Sequence, residues 1–490
     1  MNRMEYMKPQ IDCLLIAYSG LIDQKSMNVY KRMMSENSLI KDISKPLNAA
    51  IPYLGSSLDA NGFSFEFINS IADETGRLIN LLQTYEIGSI GITTTNYQDI
   101  KSLIKLITLI REINYEIPII LGGAFIVNYV RILAKKSEKV MQNALKALKA
   151  DFIVDSIYGE EKLAAIISRL KNGLPVHDIS NLYVNEEGRF YCTEKKEEVY
   201  VLQEKKINWQ LFKGRTGNMA TIRTSVSCPF RCKFCTYPMR AGKYNAINTA
   251  SMERELNGIQ ELGEVSLIQI VDDTFNISPK RFKDILKMMI RNQYSFKWYA
   301  YIRCETLDEE TVRLMKDSGC IGVILGIESG SDIMLKSMNK QVTASQYRKS
   351  MKLLKDHGHG IAIVASFFIG FPGETNETVE ETYRFIEETK PDFHHMLTWE
   401  YDIRSPIHDE KEQHDLKGNA SKWSHRSMDS ETAKQLAAQM KQKIKSSTLL
   451  EGVNGVNYTF LFQMLNTDMT LSQIKNAISR ASIKDEGIAG

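Results

Sequence analysis

The segment SVSCPFRCKFCTYP carries three cysteines, Cys228, Cys232 and Cys235, spaced as Cys-x-x-x-Cys-x-x-Cys. An iron–sulfur cubane normally takes four thiolates, one per iron. A compact loop with three thiolates and no fourth cysteine nearby would hold three irons and leave the last open to a small molecule. An open metal position means chemistry rather than structure, by the logic that separates catalytic from structural zinc. The bland alternatives are a zinc knuckle short of a ligand or surface cysteines spaced by chance. The remaining cysteines, Cys13, Cys192, Cys304 and Cys320, are scattered and read as ordinary buried thiols. An odd total of 7, unevenly spread, does not form a disulfide framework.

The spacing, with Phe234 just before the last cysteine, resembles the signature of the radical S-adenosylmethionine (SAM) superfamily. The resemblance implies a 4Fe-4S cluster whose open iron is chelated by the amino and carboxylate groups of SAM. It also implies reductive cleavage of SAM to methionine and a 5′-deoxyadenosyl radical, with flavodoxin or ferredoxin as electron donor. Further segments agree with the family. VDDTF places Asp272 and Asp273 at an exposed strand tip, where carboxylates suit the ammonium group of SAM; the alternative is a cap for the helix that follows. In YIRCE, the planar fork of Arg303 suits a carboxylate or phosphate, or else a salt bridge within the barrel. LGIESGSD resembles the SAM-contacting segment, through Glu328 and Ser329. FFIGFPGET, with Gly370, Pro372, Gly373 and Glu374, reads as a rigid turn capping the next helix.

Those groups fall at the ends of β-type runs, MATIRTSV, SLIQIV, FKWYAYI, IGVILGI, IAIVASFFIG and FHHMLTWEY. Six such runs, most followed by helical stretches, predict a partial (β/α)6 barrel over 218–402, whose catalytic groups belong at the carboxyl ends of the strands. Before it, residues 1–190 alternate short strands (IDCLLIAYSG, IGSIGITTT, EIPIILGGAF, DFIVD) with amphipathic helices. The fold class is therefore α/β, an N-terminal Rossmann-like doubly wound sheet followed by the barrel. Residues 191–217, with Trp209, read as a linker, and 403–490 as a small helical C-terminal domain closing over the barrel mouth. In that tail Trp399, Tyr401, Arg404, His408, Trp423 and His425 are candidates either for a substrate pocket or for packing.

Ligands of doubly wound sheets bind at the carboxyl ends of the strands. Thr93, Thr95, Gly122 and Gly123 lie there, and IPIILGGAF with YGEEKL resembles the cobalamin-binding domain of one large radical SAM subgroup. That resemblance implies cobalamin held by these residues. The subgroup's cobalt-ligating Asp-x-His-x-x-Gly is absent, however, and the first histidine of the chain is His177. The alternative is a Rossmann-like domain without cobalamin.

With 62 basic and 59 acidic residues and a net charge of +3, composition offers no case for an obligatory nucleic-acid partner. The start MNRMEYMKPQ lacks a secretory pattern, and no run reaches the ~18 apolar residues of a membrane span, so a cytoplasmic protein without membrane contact is expected. The resemblance implies a cobalamin-dependent radical SAM methyltransferase acting on an unactivated carbon, or a phosphinate centre, of a small natural product or peptide. The alternatives are a non-methylating rearrangement, ring contraction or dehydration, and a non-catalytic iron–sulfur redox protein.

Overall fold

The structure is a computed structural model that describes residues 8–18, 46–97, 99–156, 158–198, 200–450 and 456–486. These divide into two compact units, one of residues 8–18 and 46–215, the other from Thr216 onward.

The first unit is built on β1 (Cys13–Ile16), β2 (Phe65–Ile68), β3 (Ile90–Thr93), β4 (Ile119–Gly122) and β5 (Phe152–Val154), all parallel in the order β2-β1-β3-β4-β5. The runs CLLI and IGIT are buried throughout, as parallel strands covered on both faces require. Helix α1 (Ile100–Ile113) is capped by Asp99, which accepts from Ser102 N–H at 2.8 Å. It buries Leu103, Leu106, Ile107 and Ile110 at three-to-four spacing.

Two features of this unit go beyond the sequence expectation. An antiparallel hairpin, β6 (Leu182–Glu186) and β7 (Arg189–Cys192), extends the sheet past β5, turning on Glu187 and Gly188, both at positive φ. The stretch read as a linker is packed against the first unit as far as Arg215. Phe212 lies 5.8 Å from the Phe67 ring, and the Arg215 guanidinium sits over Phe67 while pairing with Glu66 at 3.0 Å.

The second unit is a parallel sheet of seven strands in chain order: β8 (Met219–Ile222), β9 (Leu267–Ile270), β10 (Lys297–Ile302), β11 (Cys320–Glu328), β12 (Ala362–Ile369), β13 (Phe393–Thr398) and β14 (Thr448–Leu449). Strands β8 to β13 are the six runs read from the sequence. Strand β14, pairing with Phe393 and His394, comes from the C-terminal stretch. So does helix α2 (Val456–Leu465), which packs on the starts of the strands: Phe462 stacks on Tyr299 at 4.0 Å and takes the space left by Gly322, where an added Cβ would meet its ring at 2.0 Å. Tyr458 of the same helix reaches further along the strands, its hydroxyl 3.0 Å from both Ser366 Oγ and His395 Nδ1. The C-terminal stretch thus completes the lower barrel in addition to contributing small surface elements. No helix among the described residues is long and apolar enough to cross a membrane.

Candidate active site

β8 ends at Ile222, and the chain turns through Thr224 and Ser225 into the cysteine loop. Asp272, just past β9, holds that turn. Its carboxylate accepts from Thr224 N–H at 2.6 Å, from the Thr224 hydroxyl at 2.5 Å and from Ser225 N–H at 2.9 Å. Arg281 donates to the Thr224 hydroxyl at 2.8 Å and to the Ile247 carbonyl at 2.7 Å, and supplies the compensating charge. Asp272 is 1% exposed, so it is an internal anchor and does not stand at an exposed tip. Burial pushes its carboxyl up, while Thr224, Ser225 and Arg281 pull the other way. Neither aspartate caps the following helix, because Ser278 does so, accepting from Arg281 N–H.

Asp273 keeps the exposed position and lies within electrostatic range of Cys228 and Cys235. Desolvation pushes its carboxyl up to about 6, with the Tyr237 hydroxyl pulling the other way. That hydroxyl also accepts from Ser227 N–H at 3.2 Å. Ser227 is in the left-handed region at φ +68°, and its own hydroxyl donates to the Gly242 carbonyl at 2.6 Å. Tyr237 therefore holds the entry of the cysteine loop with its hydroxyl in range of Asp273.

The three thiols lie within electrostatic range of one another. Cys232 is buried, Cys228 and Cys235 are half-buried, and burial pushes Cys228 up and Cys235 up to about 11. Among the described residues no three His, Cys, Asp or Glu side chains converge on a single ion. Thiolates that bind separate corners of a multi-iron cluster need no such convergence. The loop is fixed from outside by its backbone: Lys233 N–H donates to the Met338 carbonyl at 2.9 Å, Asn339 Nδ2 to the Arg231 carbonyl at 2.8 Å, and Ile407 N–H to the Lys233 carbonyl at 3.0 Å. Phe234 packs edge-on against Phe368 at the end of β12, ring centroids 5.2 Å apart.

Arg303 is satisfied within its own chain. It pairs with Glu305 through Nε, donates from Nη2 to the Lys340 carbonyl at 2.6 Å and stacks over Phe230 of the cysteine loop at 3.7 Å. Of the two sequence readings, the internal salt bridge is the one observed. Ser329 is likewise spent, fully buried with its hydroxyl 3.0 Å from Thr382 Oγ1 and accepting from Ser331 N–H at 3.2 Å.

Glu328 is different. It ends β11 after a register shift and sits at φ +70°, a conformation that costs a non-glycine residue about 1 kcal/mol or more. Its carboxyl is pushed up by burial, with Lys340 Nζ 3.5 Å away as its near cation. Lys340 is meanwhile held by the Gly326 carbonyl at 2.7 Å. A desolvated carboxylate at a strand's carboxyl end can accept from a cationic or hydroxyl-bearing group.

The turn after β12 is rigid, as expected. Gly370 donates its N–H to the Glu374 carboxylate and accepts at its carbonyl from His425 Nε2 at 3.0 Å. Glu374 is fully buried and its other oxygen has no partner; burial pushes it up to about 7. Trp423 stacks on His425, ring centroids 5.1 Å apart, and donates to the Trp399 carbonyl at 2.8 Å. Arg404 pairs with Asp402, and Tyr401 with His408. The tail residues Trp399, Trp423 and His425 thus pack around this turn.

In the first unit, Thr93, Thr95, Gly122 and Gly123 share the carboxyl edge of β3 and β4. The Thr93 and Thr95 hydroxyls are 3.2 Å apart, and a Cβ at Gly123, whose φ is +97°, would meet Thr94 N, Thr95 N and Thr95 Oγ1 at 2.9 Å. Thr95 is exposed at this edge. His177 lies elsewhere, bonded to Tyr191 on the hairpin, and gives this edge no imidazole.

The residues that sequence reasoning missed are Thr224, Ser227, Tyr237, Arg281 and Lys340. Each acts on a group distant in the chain, so no local pattern marks it. Ser227 and Tyr237 stand inside the cysteine segment, one residue before Cys228 and two residues past Cys235.

Residues 222–386 match the radical SAM superfamily. An uncharacterized methyltransferase of Pyrococcus horikoshii is 27% identical over 265 residues, covering 51% of this chain and 57% of that protein. This chain therefore spans little more than half the length of that relative. Among solved structures, TsrM from Kitasatospora setae, a radical S-adenosylmethionine methyltransferase with cobalamin and a 4Fe-4S cluster bound, superposes with TM-score 0.62 at 17% identity over 82% of this chain and 78% of that one. OxsB, a cobalamin-dependent S-adenosylmethionine radical enzyme, gives 0.58 at 19% identity over 79% of this chain and 52% of that one. At these identities the likeness is one of fold.

Proposed function

This chain carries a radical SAM domain, and from that premise we propose that it is a cobalamin-dependent radical SAM methyltransferase acting on an unactivated carbon, or a phosphinate centre, of a small natural product or peptide. The observation that carries the reading is the three-thiol loop at the carboxyl ends of the barrel strands, pinned by Asp272, Met338 and Arg303 and lacking a fourth cysteine in its segment.

Cys228, Cys232 and Cys235 would hold a 4Fe-4S cluster, which supplies the electron for cleaving SAM. The chain's own groups then divide the remaining work. Glu328, desolvated and strained, accepts from the ribose or amino group of SAM. Asp273 offers a second carboxylate beside the thiols, and Phe234 closes one side of the loop against Phe368. Thr95 and the bare backbone at Gly122 and Gly123 would receive cobalamin at the sheet edge, where glycine permits close approach. The fit there lies in the exposed Thr95 and the bare backbone; the described residues bring no histidine to this edge. A flavodoxin or ferredoxin is the implied electron donor.

The absence of a histidine at this edge favours one second reading, a radical rearrangement or dehydration without methyl transfer. Anaerobic reconstitution with iron and sulfide, with and without hydroxocobalamin and followed by desalting, separates the two. Retained corrin bands beside the broad ~400 nm cluster absorption are expected. A cluster spectrum without corrin rejects methyl transfer through cobalamin, and no cluster at all rejects the radical SAM reading.

A further inference from the structure

The cysteine loop is gripped at one residue by distant parts of the chain. Lys233 stands between Cys232 and Cys235. It donates its N–H to the Met338 carbonyl at 2.9 Å, accepts at its carbonyl from Ile407 N–H at 3.0 Å, and pairs through Nζ with Glu410 at 2.7 Å. Two of those three partners belong to one segment, residues 402–413, which carries Glu410 177 residues beyond Lys233.

That segment is tied at its base and braced within. Tyr401 and Ala420 exchange backbone hydrogen bonds at 3.0 and 2.7 Å, and Arg426 N–H donates to the His414 carbonyl at 2.9 Å. Trp423, in the hairpin between those ties, is 4% exposed and bonded to the Trp399 carbonyl. Inside the segment Arg404 holds Asp402 with two nitrogens, at 2.6 and 2.9 Å, and His408 N–H donates to the Ser405 carbonyl at 2.9 Å. Its other side, with Asp409, Lys411, Glu412 and Gln413, is exposed.

The hold on the loop is slight by comparison. Ile407 is fully buried, but the Lys233 and Glu410 side chains are 31% and 30% exposed, where an ion pair contributes little. A segment with a fixed base, internal bracing and few ties to its seat can lift without unfolding its surroundings. Cys232 gives it a reason to. This residue is 8% exposed, so iron cannot reach its thiol from solution until something beside it moves. The segment is bonded to the very next residue.

We propose that residues 402–413 are a flap that gates the iron–sulfur cluster. Raised, it lets iron and sulfide reach the three thiols; lowered onto Lys233 through Ile407 and Glu410, it keeps the assembled cluster from leaving. The proposal rests on the reading of the three thiols as a cluster site. The motion itself makes and breaks no covalent bond. Lys233 and Glu410 are positioning residues in this scheme, acting on the cluster through the loop and the flap.

The test follows iron and needs no turnover. The full chain is reconstituted anaerobically with iron and sulfide and mixed with an excess of a ferrous chelator, and iron release is read by absorbance. Glu410→Gln removes the ion pair and should speed release about threefold, and Glu410→Lys, which sets like charges together, about tenfold. The swapped pair K233E/E410K should return the rate to within about twofold of wild type, which a generally weakened chain would not do. Equal release from wild type and both single variants overturns the flap, as does a swapped pair that stays as fast as Glu410→Lys. If the variants fail to load iron, wild type decides by itself. Cluster and flap act on the same loop, so each steadies the other. Trypsin should therefore cut after the exposed Lys411 at least about fivefold faster in the iron-free chain than in the loaded one. Equal cutting overturns the gate. A wild-type chain that takes up no iron sinks the cluster reading instead, a result distinct from losing the flap.

Discussion

At the scale of single residues, the least expected feature is that the first carboxylate of VDDTF is structural. Asp272 gathers three donors from the turn that launches the cysteine loop, and Arg281 compensates its buried charge. Removing one member of such a network leaves the rest uncompensated, which costs more than the network contributes net. Asp272→Ala should therefore destabilise the protein by roughly 3–5 kcal/mol in denaturant titration and lower the iron retained after reconstitution. Asp272→Asn, which keeps an acceptor for the two backbone N–H groups, should do less on both counts. Unchanged stability and iron in the alanine variant would mean that the turn is held by other contacts. The cysteines were legible in the sequence because their chemistry is local, three thiols within eight residues. The partners of Asp272 and Arg303 were not. Thr224 lies 48 residues before Asp272, and Phe230 lies 73 before Arg303, so nothing near either residue in the chain announces its task.

At the scale of elements, the apolar runs located the first six barrel strands, since each is long enough to show its hydrophobic pattern. β14 has two residues and no pattern to read, and α2 is an apolar stretch whose place beneath the barrel depends on Gly322 leaving room for Phe462. The turn after β12 was legible as a turn but not as a titrating one. Glu374 has a carboxyl pushed up to about 7 from 4.5, because burial disfavours its charge by more than the Gly370 and Phe371 backbone N–H groups favour it. A raised folded-state pKa means that the protonated acid is the form the fold prefers. Its stabilising effect is full below about pH 4.5 and is lost as the pH rises through about 7. Glu374→Gln cannot titrate and keeps an acceptor for Gly370. The stability of the variant relative to wild type should therefore rise between those pH values by up to roughly 3 kcal/mol, at about 1.4 kcal/mol per pKa unit. Denaturant midpoints measured at intervals from pH 4 to 8 check this, and a difference that stays flat across that range would place the proton elsewhere.

At the scale of the whole molecule, the parallel strands of each sheet carry at their carboxyl ends the residues proposed for one cofactor, and each group lies within one compact unit. The three thiols, Glu328 and Asp273 all belong to the barrel unit; Thr93, Thr95, Gly122 and Gly123 all belong to the first. The alternation of strand and helix made both sheets legible. The end of the first unit was harder to read, because Arg215 and Phe212 pack on β2 through a cation over a ring and a ring beside a ring, contacts that composition does not reveal. If the cofactors divide as the sheets do, their losses should be separable. Replacing Cys228, Cys232 and Cys235 together by alanine should abolish bound iron and 5′-deoxyadenosine formation while leaving corrin retention intact. Gly123→Val should do the reverse, because a side chain there meets the Thr94–Thr95 backbone at 2.9 Å and the residue sits at φ +97°, a strained conformation for any side chain. Iron and corrin measured by absorption and metal analysis in both variants form a crossed pattern if each unit holds its own cofactor. Loss of corrin in the cysteine variant would instead tie cobalamin binding to the barrel, and full corrin retention in Gly123→Val would remove this sheet edge from the cobalamin site.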